Sequence, residues 1–213
     1  MTWRTTRRNA LRTLLGAGGL AFLASCGKKA TGPVKSPPEY KVRLKTTKGD
    51  VVILVHRDWS PHGADHFYEL TRMGFYNDTR FFRVIPGFVV QFGMNGDPSV
   101  NHDWSEIFIQ DDPPKVSNKA GTITFARSGP DTRATQVFIN LADNTRLDAD
   151  GFTPFGEVIE GMENVRHIYS GYGDWPPAGE GPDESDIAGS GNGFLDHRFP
   201  KLDRLIRATI ISS

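Results

Sequence analysis

The chain has 213 residues, 38% of them hydrophobic and 23% charged, which is enough for one well-cored domain and short for two. Its 25 basic residues balance 25 acidic ones, giving a formal net charge of zero. With no Lys/Arg stripe interleaved with aromatics beyond the first residues, that balance excludes an electrostatic footprint for nucleic acid.

Arg4, Arg7, Arg8 and Arg12 precede Leu14 to Ala24, an apolar stretch diluted by glycines and too short to anchor stably in a bilayer. It is followed by Leu23-Ala24-Ser25-Cys26, overlapping its end, which resembles the lipobox of bacterial lipoproteins. Residues 1–25 are therefore expected to be a cleaved signal peptide. Thr6 to Arg12 is similar to a twin-arginine signal, placed here ahead of the general secretory route. Cys26 is the only cysteine, so no intrachain disulfide can form, and it is the expected lipidation site. Two or more acyl chains anchor stably where one is marginal, so the protein would hang from a membrane face outside the cytoplasm. Cleavage would leave 21 basic against 25 acidic residues, a net charge near −4. Residues 26–39, with Pro33, Pro37 and Pro38 and no apolar period, read as a tether, and residues 40–213 as the folded domain.

Tyr40, Val42 and Leu44 alternate with Lys41, Arg43 and Lys45, predicting a half-buried strand. Thr47 to Asp50 is a turn, and Val51 to Val55 returns as a second strand. Ser60-Pro61 announces a helix that runs to Met73, stops at Gly74, and turns Ala64, Phe67 and Leu70 inward. His62 and His66 lie four apart on it; with no third ligand evident, two surface histidines are expected and no metal. Phe81 to Met94 is apolar apart from Arg83 and Gln91 and is split by Pro86-Gly87, so it reads as two strands joined by a bend. An arginine in such a bed either reaches the surface as an edge residue or lines a cavity. Asn95 to Asn118 reads as a long loop. Gly121 to Ala126 and Gln136 to Leu141 are further strands, Gly161 to Tyr169 a second short helix, and Leu205 to Ile211 a closing strand. Gly171 to Gly193 is rich in Gly, Pro and acids without one Lys or Arg, and reads as a solvated loop. Asp148-x-Asp150-Gly151 with Glu157 fits part of a calcium loop, but Arg146 occupies the first ligand position and a strand follows.

Three blocks, Phe81 to Met94, Gly121 to Leu141 and Leu147 to Val158, together resemble the cyclophilin family of peptidyl-prolyl cis-trans isomerases, and the likeness extends from about Tyr40 to the C-terminus. It implies an all-β fold with minor helix: a closed eight-stranded antiparallel barrel capped by two helices. It also implies isomerisation of X-Pro bonds without a cofactor, on proline-containing unfolded or maturing proteins, by a monomer. Arg83 matches the family's catalytic arginine. Phe88, Val89, Phe138, Leu147 and Phe152 resemble the walls of the proline pocket, Gln91 and Gln136 would hold substrate backbone, and the backbone of Ala126 and Arg127 would pair with an extended peptide. Four positions depart from the frequent form of the motif: Val89 for Met, Arg127 for Asn, Arg146 for Trp and Phe152 for His. Losing the indole donor implies weak inhibition by cyclosporin. A second reading uses the same groove as a tethered binding module with little isomerase activity; Val89 and Arg127 favour it, whereas the set Arg83, Gln91, Gln136 and Phe138 favours the enzyme.

Overall fold

A computed structural model describes residues 34–212. The expected signal peptide, Cys26 and the first part of the expected tether lie outside the described residues. The end of the tether belongs to the fold: the Ser36 N–H and hydroxyl both donate to Asp65 at 2.8 Å, and the Arg57 N–H donates to the Pro38 carbonyl.

Alternation produces the opening hairpin. Strands β1 (Glu39–Thr46) and β2 (Gly49–His56) pair in register from Thr46↔Gly49 to Glu39↔His56, burying Tyr40, Val42 and Leu44 against Val51, Ile53 and Val55. Helix α1 (Pro61–Arg72) starts and stops where Ser60-Pro61 and Gly74 predict. Ser60 does not cap it with its side chain. Asp112 does so from a distant loop, accepting from the His62 and Gly63 N–H groups at 3.2 and 3.1 Å and from the Ser60 hydroxyl. A carboxylate at a helix N-terminus is favoured both by these unpaired donors and by the helix dipole. The pair of surface histidines needs correction. His62 is exposed with Nδ1 2.8 Å from Asp112, whereas His66 is buried on the inner face of α1 beside Phe125 and Trp104.

Strands β3 (Thr79–Arg80), β4 (Arg83–Ile85) and β5 (Val89–Phe92) follow, with β4 and β5 joined by a turn in which the Phe88 N–H returns to the Ile85 carbonyl. Pro86 supplies the fixed φ of the first turn position and Gly87, at φ +72°, the left-handed one of the second. The expected loop after β5 contains helix α2 (Pro98–Ser105), whose start signal is Asp97-Pro98: the Asp97 side chain accepts from the Ser99 N–H. That signal is masked in sequence by the polar, proline-rich surroundings. Then come β6 (Thr122–Phe125), β7 (Val137–Asn140), the single turn α3 (Arg146–Ala149), β8 (Pro154–Glu160) and α4 (Met162–Arg166), the last within the predicted second helix. Helix α5 (Glu184–Arg198), two helical stretches meeting at a kink at Gly191 (φ +58°), replaces the second half of the expected acidic loop, and β9 (Arg204–Ser212) closes the chain. Gly189, Gly191 and Gly193 give α5 poor intrinsic propensity. It forms because Ile187 and Leu195 pack on Phe82 and Met94.

All strands join one antiparallel sheet in the order β3-β9-β1-β2-β8-β6-β7-β5-β4. The expectation of a closed barrel of eight strands capped by two helices is corrected accordingly: the sheet is curled, has nine strands, and is accompanied by five helices among the described residues. Its end strands β3 and β4 are separated only by Phe81 and Phe82 and are not paired with each other. The Phe81 N–H is taken by the Asp203 carbonyl and the Val84 N–H by the Gly173 carbonyl. The core fills the inside of the curl with aromatic rings; Phe155 touches Phe67 at 5.0 Å and Phe125 at 5.1 Å between centroids. Each such pair contributes about 0.5–1.5 kcal/mol beyond its buried area.

Candidate active site

The period of two sorts strands β4, β5 and β7 into two faces. Val84, Val90, Phe92, Val137 and Ile139 enter the core, so Arg83, Val89, Gln91 and Phe138 are directed to the opposite face. Register then brings them together: Arg83 lies opposite Gln91, and Gln91 opposite Phe138. A cavity of about 780 Å³ opens on this face, lined by Arg83, Phe88, Val89, Gln91, Ala126, Arg127, Gln136, Phe138, Leu147 and Phe152. All ten residues singled out from sequence for catalysis or substrate contact therefore line one cavity.

Its apolar part is a separate cluster of Val89, Phe138 and Leu147 with Phe88, Ala126 and Phe152 packed against it. Phe152 meets Phe138 edge-on at 5.8 Å. Leu147 and Phe152 are held by the loop around α3, whose hub is Asp148. Its carboxylate accepts from the Ser117 hydroxyl and from the backbone and side-chain N–H groups of Asn118, and Asn118 in turn reaches the Phe152 carbonyl. Partial burial would raise the Asp148 carboxyl, but these hydrogen bonds outweigh it and hold it below its ordinary value. The carboxylate resembling a calcium ligand is thus committed to the loop.

The polar part is a directed chain. Arg83 Nη1 donates to Gln91 Oε1 at 3.0 Å, Gln91 Nε2 to Gln136 Oε1 at 2.7 Å, and Gln136 Nε2 to Glu184 Oε2 at 3.1 Å. Arg83 is also gripped from the other side. Its Nε and Nη2 donate to the two carboxylate oxygens of Asp174 at 2.6 and 3.1 Å, and its guanidinium lies 4.2 Å from the centre of the Trp175 ring. The bond from Arg83, joined by one from the Trp175 N–H, holds the Asp174 carboxyl below the ordinary carboxylate range.

Arg127 and Ala126 are both engaged with the protein itself. Arg127 does not leave a free charge at the groove, since Nε and Nη1 donate to the Gly129 and Gly151 carbonyls and Nη1 lies 3.1 Å from Asp111. The Ala126 N–H is already taken by the Gln136 carbonyl, so it is not available to a peptide in this state. Arg146 places its guanidinium 4.8 Å from the Phe88 ring centre. Asp174, Trp175 and Glu184 were missed, all three within the stretch read as a solvated loop. One signal pointed to that stretch without singling out a residue: a half-buried arginine in an apolar strand needs a counter-charge, and residues 171–193 hold five acids and no base.

Comparison with known proteins agrees with this geometry. The sequence model of the family described as "Cyclophilin type peptidyl-prolyl cis-trans isomerase/CLD" matches residues 41–181, about two thirds of the chain. A peptidyl-prolyl cis-trans isomerase of Acinetobacter baylyi is 35% identical over 133 residues, covering 60% of this chain and 70% of that protein. Peptidyl-prolyl cis-trans isomerase B of Escherichia coli is 34% identical over 136 residues, covering 60% and 82%. Among solved structures, a cyclophilin type peptidyl-prolyl cis-trans isomerase of Cryptosporidium parvum superposes with a TM-score of 0.59 at 22% identity, over 82% of this chain and 99% of its own, which supports the fold. Family match, curated relatives and a curled sheet bearing this cavity lead to one conclusion: the chain belongs to the cyclophilin-type peptidyl-prolyl cis-trans isomerases and is an enzyme of that activity.

Proposed function

We propose that Arg83 accelerates rotation about X-Pro bonds by donating to the prolyl nitrogen while the apolar cluster of Val89, Phe138 and Leu147 holds the ring. Resonance in the amide sets a barrier of about 18–20 kcal/mol, and no covalent bond needs to break to cross it. As the amide twists, its nitrogen lone pair is released and becomes an acceptor. A donor aimed there stabilises the twisted state more than either planar one, which is the condition for catalysis. A guanidinium suits this role because it is charged at every working pH and donates without first being protonated. One charge-assisted hydrogen bond of about 1.5–3 kcal/mol supplies roughly ten- to a hundredfold in rate. The rest falls to the pocket, by fixing the ring and excluding water.

The observation that carries this reading is the meeting of Arg83, Gln91 and Phe138 on one cavity wall through strand register. The substrates are proline-containing peptides; a Cryptosporidium parvum relative with the same fold has been solved in the presence of the dipeptide Ala-Pro. The leader and Cys26 support a location on a membrane face outside the cytoplasm, with unfolded or maturing envelope proteins as clients. A protease-coupled assay on a short X-Pro peptide tests the mechanism. Turnover by the native chain that falls ten- to a hundredfold in Arg83→Ala is expected, on the scale of one charged hydrogen bond. Unchanged turnover in the variant would remove Arg83 from the reaction. Metabolic labelling with a radioactive fatty acid, in native protein and Cys26→Ala, tests the anchor: label is expected only in the native protein.

A further inference from the structure

The segment Tyr169–Pro182 is built as a strap across the open edge of β4. The Gly173 carbonyl accepts from the Val84 N–H at 3.3 Å, one residue from Arg83. The strap then closes on itself. The Ala178 and Gly179 N–H groups donate to the Trp175 carbonyl at 3.0 and 3.1 Å, the Glu180 N–H to the Tyr172 carbonyl at 2.9 Å, and the Gly181 N–H to the Asp174 carbonyl at 2.8 Å. A Cβ at Gly179 would stand 2.2 Å from the Asp174 carbonyl oxygen, so the wrap requires glycine there. Tyr172 ties the strap to the end of α5, with ring centres 5.1 Å from Phe199 and 5.2 Å from Tyr169. Asp174 and Trp175 therefore belong to a fixed piece of backbone.

A guanidinium has five N–H donors in a rigid plane. Asp174 takes two along one edge and Gln91 a third, while Trp175 lies over the face. We propose that Asp174 and Trp175 are positioning residues for the isomerisation, fixing the Arg83 plane so that its two remaining N–H groups face the peptide in the cavity. This rests on the reading of Arg83 as the donor to the prolyl nitrogen. Two effects of Asp174 compete. Its charge weakens Arg83 as a donor, but Asp174 and Arg83 both keep contact with water, which screens that field. Freeing a long side chain with four rotatable bonds is the larger loss, since about 1 Å of misplacement costs on the order of a hundredfold in rate.

The test is steady-state kinetics on the full chain carrying Asp174→Asn, Trp175→Ala, Trp175→Phe, Arg83→Ala, and Arg83→Ala combined with Asp174→Asn. Asp174→Asn keeps the size and one acceptor oxygen; it is expected to lower kcat about tenfold with KM within about twofold, the loss of one oriented charged contact. Trp175→Ala is expected to act similarly and Trp175→Phe to restore most of the rate. The double variant should be no slower than Arg83→Ala alone, because a positioning residue has nothing left to position. The Arg83 Nε–H resonance provides a readout independent of turnover and of small stability losses: slowly exchanging in the native protein and fast in Asp174→Asn. Full or increased kcat in Asp174→Asn while Arg83→Ala is inactive would overturn the proposal and leave Arg83 as the donor. An additional loss in the double variant would overturn it too. Native turnover in Arg83→Ala would remove the reading beneath it.

Discussion

Two arginines of this chain each meet an aspartate, and their surroundings give them opposite work. Arg133 is 1% exposed; it donates to the Ser60 hydroxyl, the Gln110 carbonyl and Asp112, with Nε 3.3 Å from Asp111. It thereby joins the N-terminus of α1, the loop after α2 and the approach to β7 at one buried point. Arg83 is 16% exposed and lines an open cavity, with two of its five N–H groups unpaired among the described residues. The difference lies in what remains uncommitted. A charge whose neighbours enclose it holds a fold together, whereas one that lines a cavity with donors left unpaired can still meet a ligand.

The comparison breaks most visibly under truncation. Arg133→Ala leaves the Asp112 carboxylate buried beside an empty space, and the expected cost is about 3–5 kcal/mol of stability, read as a lower urea midpoint. A midpoint within error of native would deny the structural role. His66 sharpens the same side. Burial lowers it from 6.5 to about 4 against an opposing bond with Ala134, and the nearby Arg133 charge adds a smaller push in the same direction as burial. The unfolded chain therefore takes up a proton on this residue near pH 6.5 that the folded one refuses until about pH 4. Stability should fall by roughly 3 kcal/mol between those values and not further below them from this group. Below about pH 4 a second decline should begin as Asp112 is protonated; burial would raise its carboxyl, but the bonds from Ser60, the His62 N–H and Arg133 outweigh it. Urea midpoints measured from pH 7 down to about pH 2 check both declines, and His66→Phe should flatten the first.

Arg83→Ala marks the other side of the contrast. Both partners of its ion pair retain some contact with water, so the melting temperature is expected to stay within a few degrees while activity falls by about 1.5–3 kcal/mol of transition-state stabilisation. Loss of fold together with activity would erase the distinction between the two arginines. The smallest effect concerns Arg146, which stands over Phe88 where the family frequently places Trp. Arg146→Trp is expected to tighten cyclosporin inhibition about five- to tenfold, the scale of one neutral hydrogen bond, as read from inhibition constants.

Much of the site was legible because it is strand-borne. In strands the side-chain direction follows from counting by two, so Arg83, Gln91 and Phe138 converge once their strands pair. The curl of the sheet was less legible: eight closed strands were expected where nine are found, with the end strands β3 and β4 not paired with each other. Asp174, Trp175 and Glu184 were not legible as site residues. Asp174 lies 91 residues from Arg83 in sequence, and the strap and α5 that carry them draw their structure from tertiary contacts, of Tyr172 with Phe199 and of Ile187 and Leu195 with Phe82 and Met94. Composition there reported only glycine, proline and acid.

The most direct measurement is exchange NMR of an X-Pro peptide in the presence of native protein and of Arg83→Ala, which reads cis–trans interconversion on the enzyme separately from binding. The account predicts that both proteins bind the peptide and that only the native one exchanges its two isomers rapidly. Equal exchange rates at equal occupancy would contradict it.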